Sequence, residues 1–208
     1  MKMLIAKLPT GMFYLLLCFI IAACSKSQPD IELLADDAVI LAFGDSLTEG
    51  YGSKKSFNYP SVLAELSGMK VINEGLSGEI SKDGLRRLPA LLDKHNPALL
   101  ILCHGGNDLL RKLDKNQMRE NLKEMVRTAQ ARGINVVMIG TPEPGIFLSS
   151  APMYQEIADE FNVPIEMDVL AEVLGDASLK SDHIHPNESG YRKVAEGVYR
   201  LLLDVGAF

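Results

Sequence analysis

The chain has no basic cluster and no stripe of alternating basic and aromatic residues. Its 21 Lys and Arg are outnumbered by 27 Asp and Glu, for a formal net charge of −6. That balance excludes the electrostatic footprint of a nucleic-acid-binding protein. Cysteine is scarce too, with three residues, at positions 18, 24 and 103. Two of these fall in the N-terminal segment, so Cys103 stands alone in the body of the chain, where no intramolecular disulfide can form. Cys103 sits in a strongly apolar run, which suits a buried, inert thiol better than a reactive one. Internal repeats and low-complexity stretches are absent. About 185 residues follow the N-terminal segment, enough for one domain with a full core and too few for two typical ones.

Residues 1–23 read as targeting rather than fold. Lys2 and Lys7 form a positive start, and Gly11 to Ala23 is an apolar stretch too short to span a bilayer comfortably. It ends Ile21-Ala22-Ala23-Cys24, which resembles a bacterial lipoprotein signal: small residues before a cysteine that receives the lipid. The rival is an ordinary secretory signal with an incidental cysteine. The resemblance implies lipidation at Cys24 and a membrane partner through that anchor, since more than one acyl chain holds stably. Ser25 rather than Asp follows, which implies forwarding to the outer membrane, so the expected location is the bacterial envelope, at that membrane or its periplasmic face. Residues 24–37 are then a polar tether and 38–208 the domain. Losing Lys2 and Lys7 makes that product more acidic still.

Within 38–208, strand and helix signals alternate. Ala38–Phe43, Val71–Asn73, Ala98–Cys103 and Ile134–Ile139 are apolar runs without polar alternation, as parallel strands covered on both faces should be. Pro164–Glu166 is a shorter fifth. A helix begins after Asp114, an N-cap with Gln117 three residues on, and places Met118, Leu122, Met125, Val126 and Ala129 on one face before Gly133 ends it. Another, from about Asn187 to Leu203, turns Tyr191, Val194, Val198, Leu201 and Leu202 inward. The pattern predicts a three-layer α/β/α sandwich with a mostly parallel, flavodoxin-like five-stranded sheet.

Ligands in such sheets bind beyond the carboxyl ends of the strands. There the sequence offers Gly44-Asp45-Ser46-Leu47-Thr48-Glu49-Gly50, then Asn73-Glu74-Gly75-Leu76-Ser77-Gly78-Glu79, then His104-Gly105-Gly106-Asn107-Asp108, then Thr141 to Gly145, and finally Asp182-His183-Ile184-His185-Pro186. Taken in order, these blocks resemble the SGNH (GDSL) hydrolase superfamily, and in detail its bacterial arylesterase and thioesterase I/lysophospholipase subgroup. The resemblance implies that Ser46 is a nucleophile, His185 its general base and Asp182 the residue orienting His185. It also implies an oxyanion hole from the Ser46 N–H, the Gly78 N–H and the Asn107 amide. Chemistry agrees: a serine hydroxyl needs a base, the base needs its tautomer fixed, and the oxyanion needs donors. Such a reaction requires no metal and no cofactor. The pattern is Gly-Asp-Ser-Leu-Thr and not Gly-x-Ser-x-Gly, so the α/β-hydrolase elbow does not fit.

Each residue has a plainer role to set beside this one. Ser46 suits a helix N-cap, Gly78 a turn, and Asn107 turn chemistry. Asp45 suits bracing of its own loop. His183 directly follows Asp182, but adjacent side chains point apart in extended geometry and the family pattern is Asp-x-x-His, so His185 is preferred. His104 reads as a structural histidine and His95 as a cation at a helix end. The expected activity is a serine ester hydrolase forming an acyl-enzyme on Ser46, with a small acyl-ester or lipid substrate, including thioesters and lysophospholipids. Gly145 to Tyr154 either lines an acyl pocket or packs the next helix, and Leu109 to Leu113 offers a lip over the acyl chain. Two other functions compete. One is a metal-dependent phosphoesterase, against which the absence of an opening Asp-x-His counts. The other is a non-catalytic envelope lipoprotein that binds lipid or glycan.

Overall fold

The computed structural model describes residues 28–145 and 148–208. Its strands are β1 (Val39–Gly44), β2 (Lys70–Gly75), β3 (Leu99–Cys103), β4 (Asn135–Ile139) and β5 (Ile165–Glu166), all parallel, in the order β2-β1-β3-β4-β5. This is the flavodoxin-like sheet that the apolar runs predict. Every residue of β3 is buried, because helices cover both faces of the sheet.

Among the described residues the helices are α1 (Ser46–Glu49), α2 (Tyr59–Ser67), α3 (Ser81–His95), α4 (Gly106–Leu110), α5 (Lys115–Gln130), α6 (Pro152–Phe161), α7 (Val169–Gly175) and α8 (Glu188–Asp204). Successive strand residues supply opposite faces. Ile40, Ala42, Leu99 and Ile101 pack with α2, α7 and α8, while Leu41, Phe43, Leu100 and Leu102 pack with α3, α5 and α6. Cys103 lies in the first of these cores, where burial pushes its thiol pKa up, away from reactivity.

Local chemistry sets the ends of the elements. The Asp114 carboxylate accepts the N–H groups of Asn116 and Gln117 at 2.8 and 3.3 Å and so starts α5. Gln117 turns instead to Asn121, so only half of a capping box forms. Gly133, at φ +72°, takes the left-handed conformation after α5. Asn187 caps α8 through the Gly190 N–H at 3.0 Å.

Ten of the fourteen residues expected as a tether are described, and several of them dock on the domain. The Gln28 amide both donates to and accepts from the Ile165 backbone at 3.1 Å. The N–H groups of Ile31 and Leu34 bond the carbonyls of Val205 and Ala207 at 3.0 Å, and Leu34 is buried. Ile31, Leu33 and Leu34 in a polar stretch carry too weak a pattern to announce this packing, and Leu33 stays exposed. Residues 1–23 and Cys24 lie outside the described residues. Among the described residues no helix is long and apolar enough to cross a membrane.

From β1 the chain crosses to β2 on one side, and from β2 it returns to β3 on the other. The connections leaving β1 and β3 therefore part at their carboxyl ends and open a crevice there. Ser46 and Asn107 flank that crevice.

Candidate active site

Ser46 is the first residue of α1. Asp45, the last before it, caps this helix by accepting the Leu47 N–H at 3.1 Å. Asp45 is almost wholly buried, which raises its carboxyl pKa, and it braces the turn as its position suggests. The turn lies directly on the end of β2. A Cβ on Gly75 would fall 2.0 Å from the Glu49 nitrogen, so only glycine lets the two backbones meet. Asn73 secures the contact by donating to the Thr48 carbonyl at 2.8 Å and accepting the Gly75 N–H at 2.9 Å.

The segment from Lys180 to Pro186 is closed by a bridge between those two residues. Within it, one carboxylate oxygen of Asp182 accepts the N–H groups of Ile184 and His185 at 2.8 and 2.9 Å. The other lies 2.8 Å from His185 Nδ1. His185 Nε2 is 3.0 Å from Ser46 Oγ. An ionised carboxylate only accepts, so Nδ1 carries the hydrogen; in the neutral ring that acts as base, Nε2 is then bare and accepts from the Ser46 hydroxyl. Desolvation alone would raise the Asp182 pKa. The His185 ring and the two backbone N–H groups outweigh it and hold the carboxyl below its ordinary value. His185, and not His183, is thus the histidine joined to both Ser46 and Asp182. Tyr51 adds a contact that the sequence does not announce, its ring 4.5 Å from that of His185 at a 42° tilt.

The loop from Leu76 to Glu79 adjoins the site through Asn107. Gly78 sits at φ +79°, where a side chain would be strained. Asn107 donates one amide hydrogen to the Glu79 carbonyl at 3.0 Å, which leaves its second for another acceptor. Among the described residues, neither the Ser46 N–H nor the Gly78 N–H is taken up in the turn and loop hydrogen bonds. Both are available to a ligand.

A buried network supports this loop. His104 Nδ1 accepts the Gly105 N–H at 2.9 Å, so its Nε2–H donates to Glu79 at 3.1 Å. Arg87 meets the same carboxylate with two bonds of 2.8 and 2.7 Å. A Cβ on Gly84 would come 2.3 Å from His104 Nε2, so that glycine makes room for the ring. His104 is structural, as expected, whereas Glu79 and Arg87 carry no sequence signal. Asp108 is likewise unannounced; it accepts the Ser81 N–H and hydroxyl at 2.8 and 2.6 Å and pins the start of α4 to α3.

Burial alone would raise the Glu79 pKa, but His104 and Arg87 reverse this and hold it at about 2, against an ordinary 4.5. A lowered carboxyl pKa contributes stability that is fully present above about pH 4.5 and lost as pH falls toward 2. The shift corresponds to about 3 kcal/mol. Denaturant titrations at pH 7 and pH 3 check it: the wild type should lose clearly more stability on acidification than Glu79→Gln. Equal losses would show that Glu79 is not the linked group.

Ser46, Asn107 and His185 share a cleft of about 290 Å³ with Leu110, Leu148, Leu174 and Ile184. Gly78 and Asp182 are not in its walls and adjoin it through Glu79 and His185. The stretch from Gly145 to Tyr154 divides: Gly145 and Leu148 line the cleft, Ala151, Met153 and Tyr154 pack the core, and Ile146 and Phe147 lie outside the described residues. Leu110 lines the cleft while Leu109 is buried. A larger groove beside α8, lined by Phe57, Leu66 and Arg192, involves none of these site residues. Among the described residues no three His, Cys, Asp or Glu side chains converge as a metal site would need.

Comparison with known proteins agrees with this geometry. Residues 42–193 match the model of the GDSL-like Lipase/Acylhydrolase family. The chain is 31% identical over 171 residues to Thioesterase 1/protease 1/lysophospholipase L1 of Escherichia coli, covering 78% of this chain and 82% of that one. It is 30% identical over 200 residues to an arylesterase of Vibrio mimicus, covering 91% and 96%. The crystal structure of TesA superposes with a TM-score of 0.74 at 29% identity, covering 80% of this chain and 99% of TesA.

Proposed function

We propose a division of labour for this chain, which belongs to the GDSL-like lipase/acylhydrolase family and is a serine ester hydrolase. Ser46 attacks the ester carbonyl as its proton passes to His185 Nε2. Asp182 steadies the resulting imidazolium. The Ser46 N–H, the Gly78 N–H and the free Asn107 amide hydrogen receive the oxyanion. Collapse of the tetrahedral intermediate expels the alcohol, which takes the proton from His185 and leaves an acyl-enzyme. Water, deprotonated by the same histidine, then releases the acid and restores Ser46. The observation that carries this reading is the unbroken chain from Ser46 Oγ to His185 to Asp182, at 3.0 and 2.8 Å.

The substrates we propose are short-to-medium acyl esters and aryl esters, with thioesters and lysophospholipids in the same class. The apolar walls of the cleft support an acyl chain, and the similar proteins named above are an arylesterase and a thioesterase/lysophospholipase. A chain-length series of p-nitrophenyl esters tests this, and turnover confined to acetylated sugars would refute it. Activity lost to EDTA and restored by Mn²⁺ or Zn²⁺ would overturn the serine mechanism itself.

We also propose that Cys24 carries a lipid and anchors the enzyme in the bacterial envelope. Its support is the run Ile21-Ala22-Ala23-Cys24. Cells fed radiolabelled palmitate should label the wild type and not Cys24→Ala, with the variant moving from the membrane pellet to the soluble fraction. An unlabelled wild type would end this proposal without touching the chemistry.

A further inference from the structure

Arg111, the residue that closes α4, donates from its guanidinium to the Gly78 carbonyl at 2.8 Å. Asn107, four residues earlier, donates to the carbonyl of Glu79, the next residue of the same loop, at 3.0 Å. Side chains four apart on a helix lie on one face. Together they grip two successive carbonyls of the loop that holds the proposed oxyanion donor. On its other side the loop is tied to the serine turn, through the Ser77 N–H and hydroxyl on the Glu49 carboxylate and the Leu76 N–H on the Gly44 carbonyl. Gly78 itself has no side chain and wide backbone freedom, so its orientation must be imposed by neighbours.

Among the described residues Arg111 has no other side-chain hydrogen bond. It is exposed and forms no ion pair with a described residue. Its Nη2 lies 3.6 Å from where a Gly78 Cβ would stand. Ordering a long exposed side chain costs conformational entropy, and here the return is one backbone carbonyl beside the site.

We propose that Arg111 is a positioning residue of the oxyanion hole: by holding the Gly78 carbonyl, on the peptide that follows the Gly78 N–H, it limits rotation of the glycine and so sets that N–H relative to Asn107 for the developing oxyanion. The inference rests on the assignment of Gly78 and Asn107 as oxyanion donors. A misplacement of about 1 Å at a reacting centre can cost about 10²-fold in rate, so the effect belongs in kcat.

The test uses Arg111→Ala, Arg111→Lys and Asn107→Ala on one p-nitrophenyl ester, with fluorophosphonate titration counting the competent sites. Arg111→Ala should lower kcat per titrated site by about 10- to 100-fold, with KM changed less than about twofold and the pH–rate profile unmoved. Arg111→Lys should recover part of the loss, because an ammonium donates as well but without the planar fork. Asn107→Ala should cost about 10²–10³ in kcat. An unchanged kcat in Arg111→Ala, a change confined to KM, or a loss accounted for by missing sites would overturn the inference. If Asn107→Ala also keeps full kcat, the oxyanion assignment falls with it. If only Asn107→Ala is impaired, that assignment stands and the role of Arg111 alone is rejected.

Discussion

Ser46→Ala is expected to remain folded, to lose all labelling by a fluorophosphonate, and to hydrolyse p-nitrophenyl esters at least about 10⁴-fold more slowly. The fold should survive because among the described residues the serine hydroxyl's hydrogen bond is to His185, while the turn is held by Asp45, Asn73 and the closely fitted Gly75. The rate should not survive. Without Oγ no acyl-enzyme can form, and the oxyanion donors are left to assist only a direct attack by water. Activity within about tenfold of wild type, measured on protein free of contaminating esterase, would remove Ser46 from the mechanism.

Asp182→Asn should be nearly as severe, about 10⁴-fold in kcat, although it changes a single atom's chemistry. The asparagine carbonyl can still accept the N–H groups of Ile184 and His185, so the tight segment keeps its shape. Its NH₂, however, now faces His185 Nδ1 and donates to it. The ring responds by carrying its hydrogen on Nε2, the atom that must accept from Ser46. Structure and stability should hardly change while turnover collapses. Thermal melts alongside single-turnover kinetics separate the two, and a variant that unfolds instead would show that Asp182 is there for the loop rather than for the tautomer.

Much of this was readable from the residues alone. Apolar runs of five or six, such as Leu99–Cys103, admit little besides a strand buried on both faces, and once the sheet is parallel its chemistry must collect at one edge. Ser46, Asp182 and His185 were legible through the resemblance of the ordered blocks to the SGNH pattern, with which the strand ends and the three-residue spacing agree. Arg87, Glu79, Tyr51 and Arg111 were not. They act across elements, and three of them through backbone carbonyls or a ring face, contacts that leave no spacing rule in sequence. The stretch from Gly145 to Tyr154 shows a third case. Its hydrophobicity was plain, but neighbouring residues divide between cleft and core, Leu148 to the first and Ala151 to the second, and hydrophobicity alone does not separate the two uses.

The docking of Gln28 on β5 sets a length scale. If Cys24 bears the lipid proposed above, four peptide units join the anchor to the domain, and a fully extended chain covers at most about 14 Å across them. The domain would then patrol the headgroup layer on a leash shorter than its own diameter. Its encounters with lipid-borne esters would be governed by their surface density rather than their bulk concentration. Soluble esters would gain nothing from this arrangement. Lengthening the leash should weaken turnover of lipid substrates in vesicles and leave turnover of p-nitrophenyl acetate as it was.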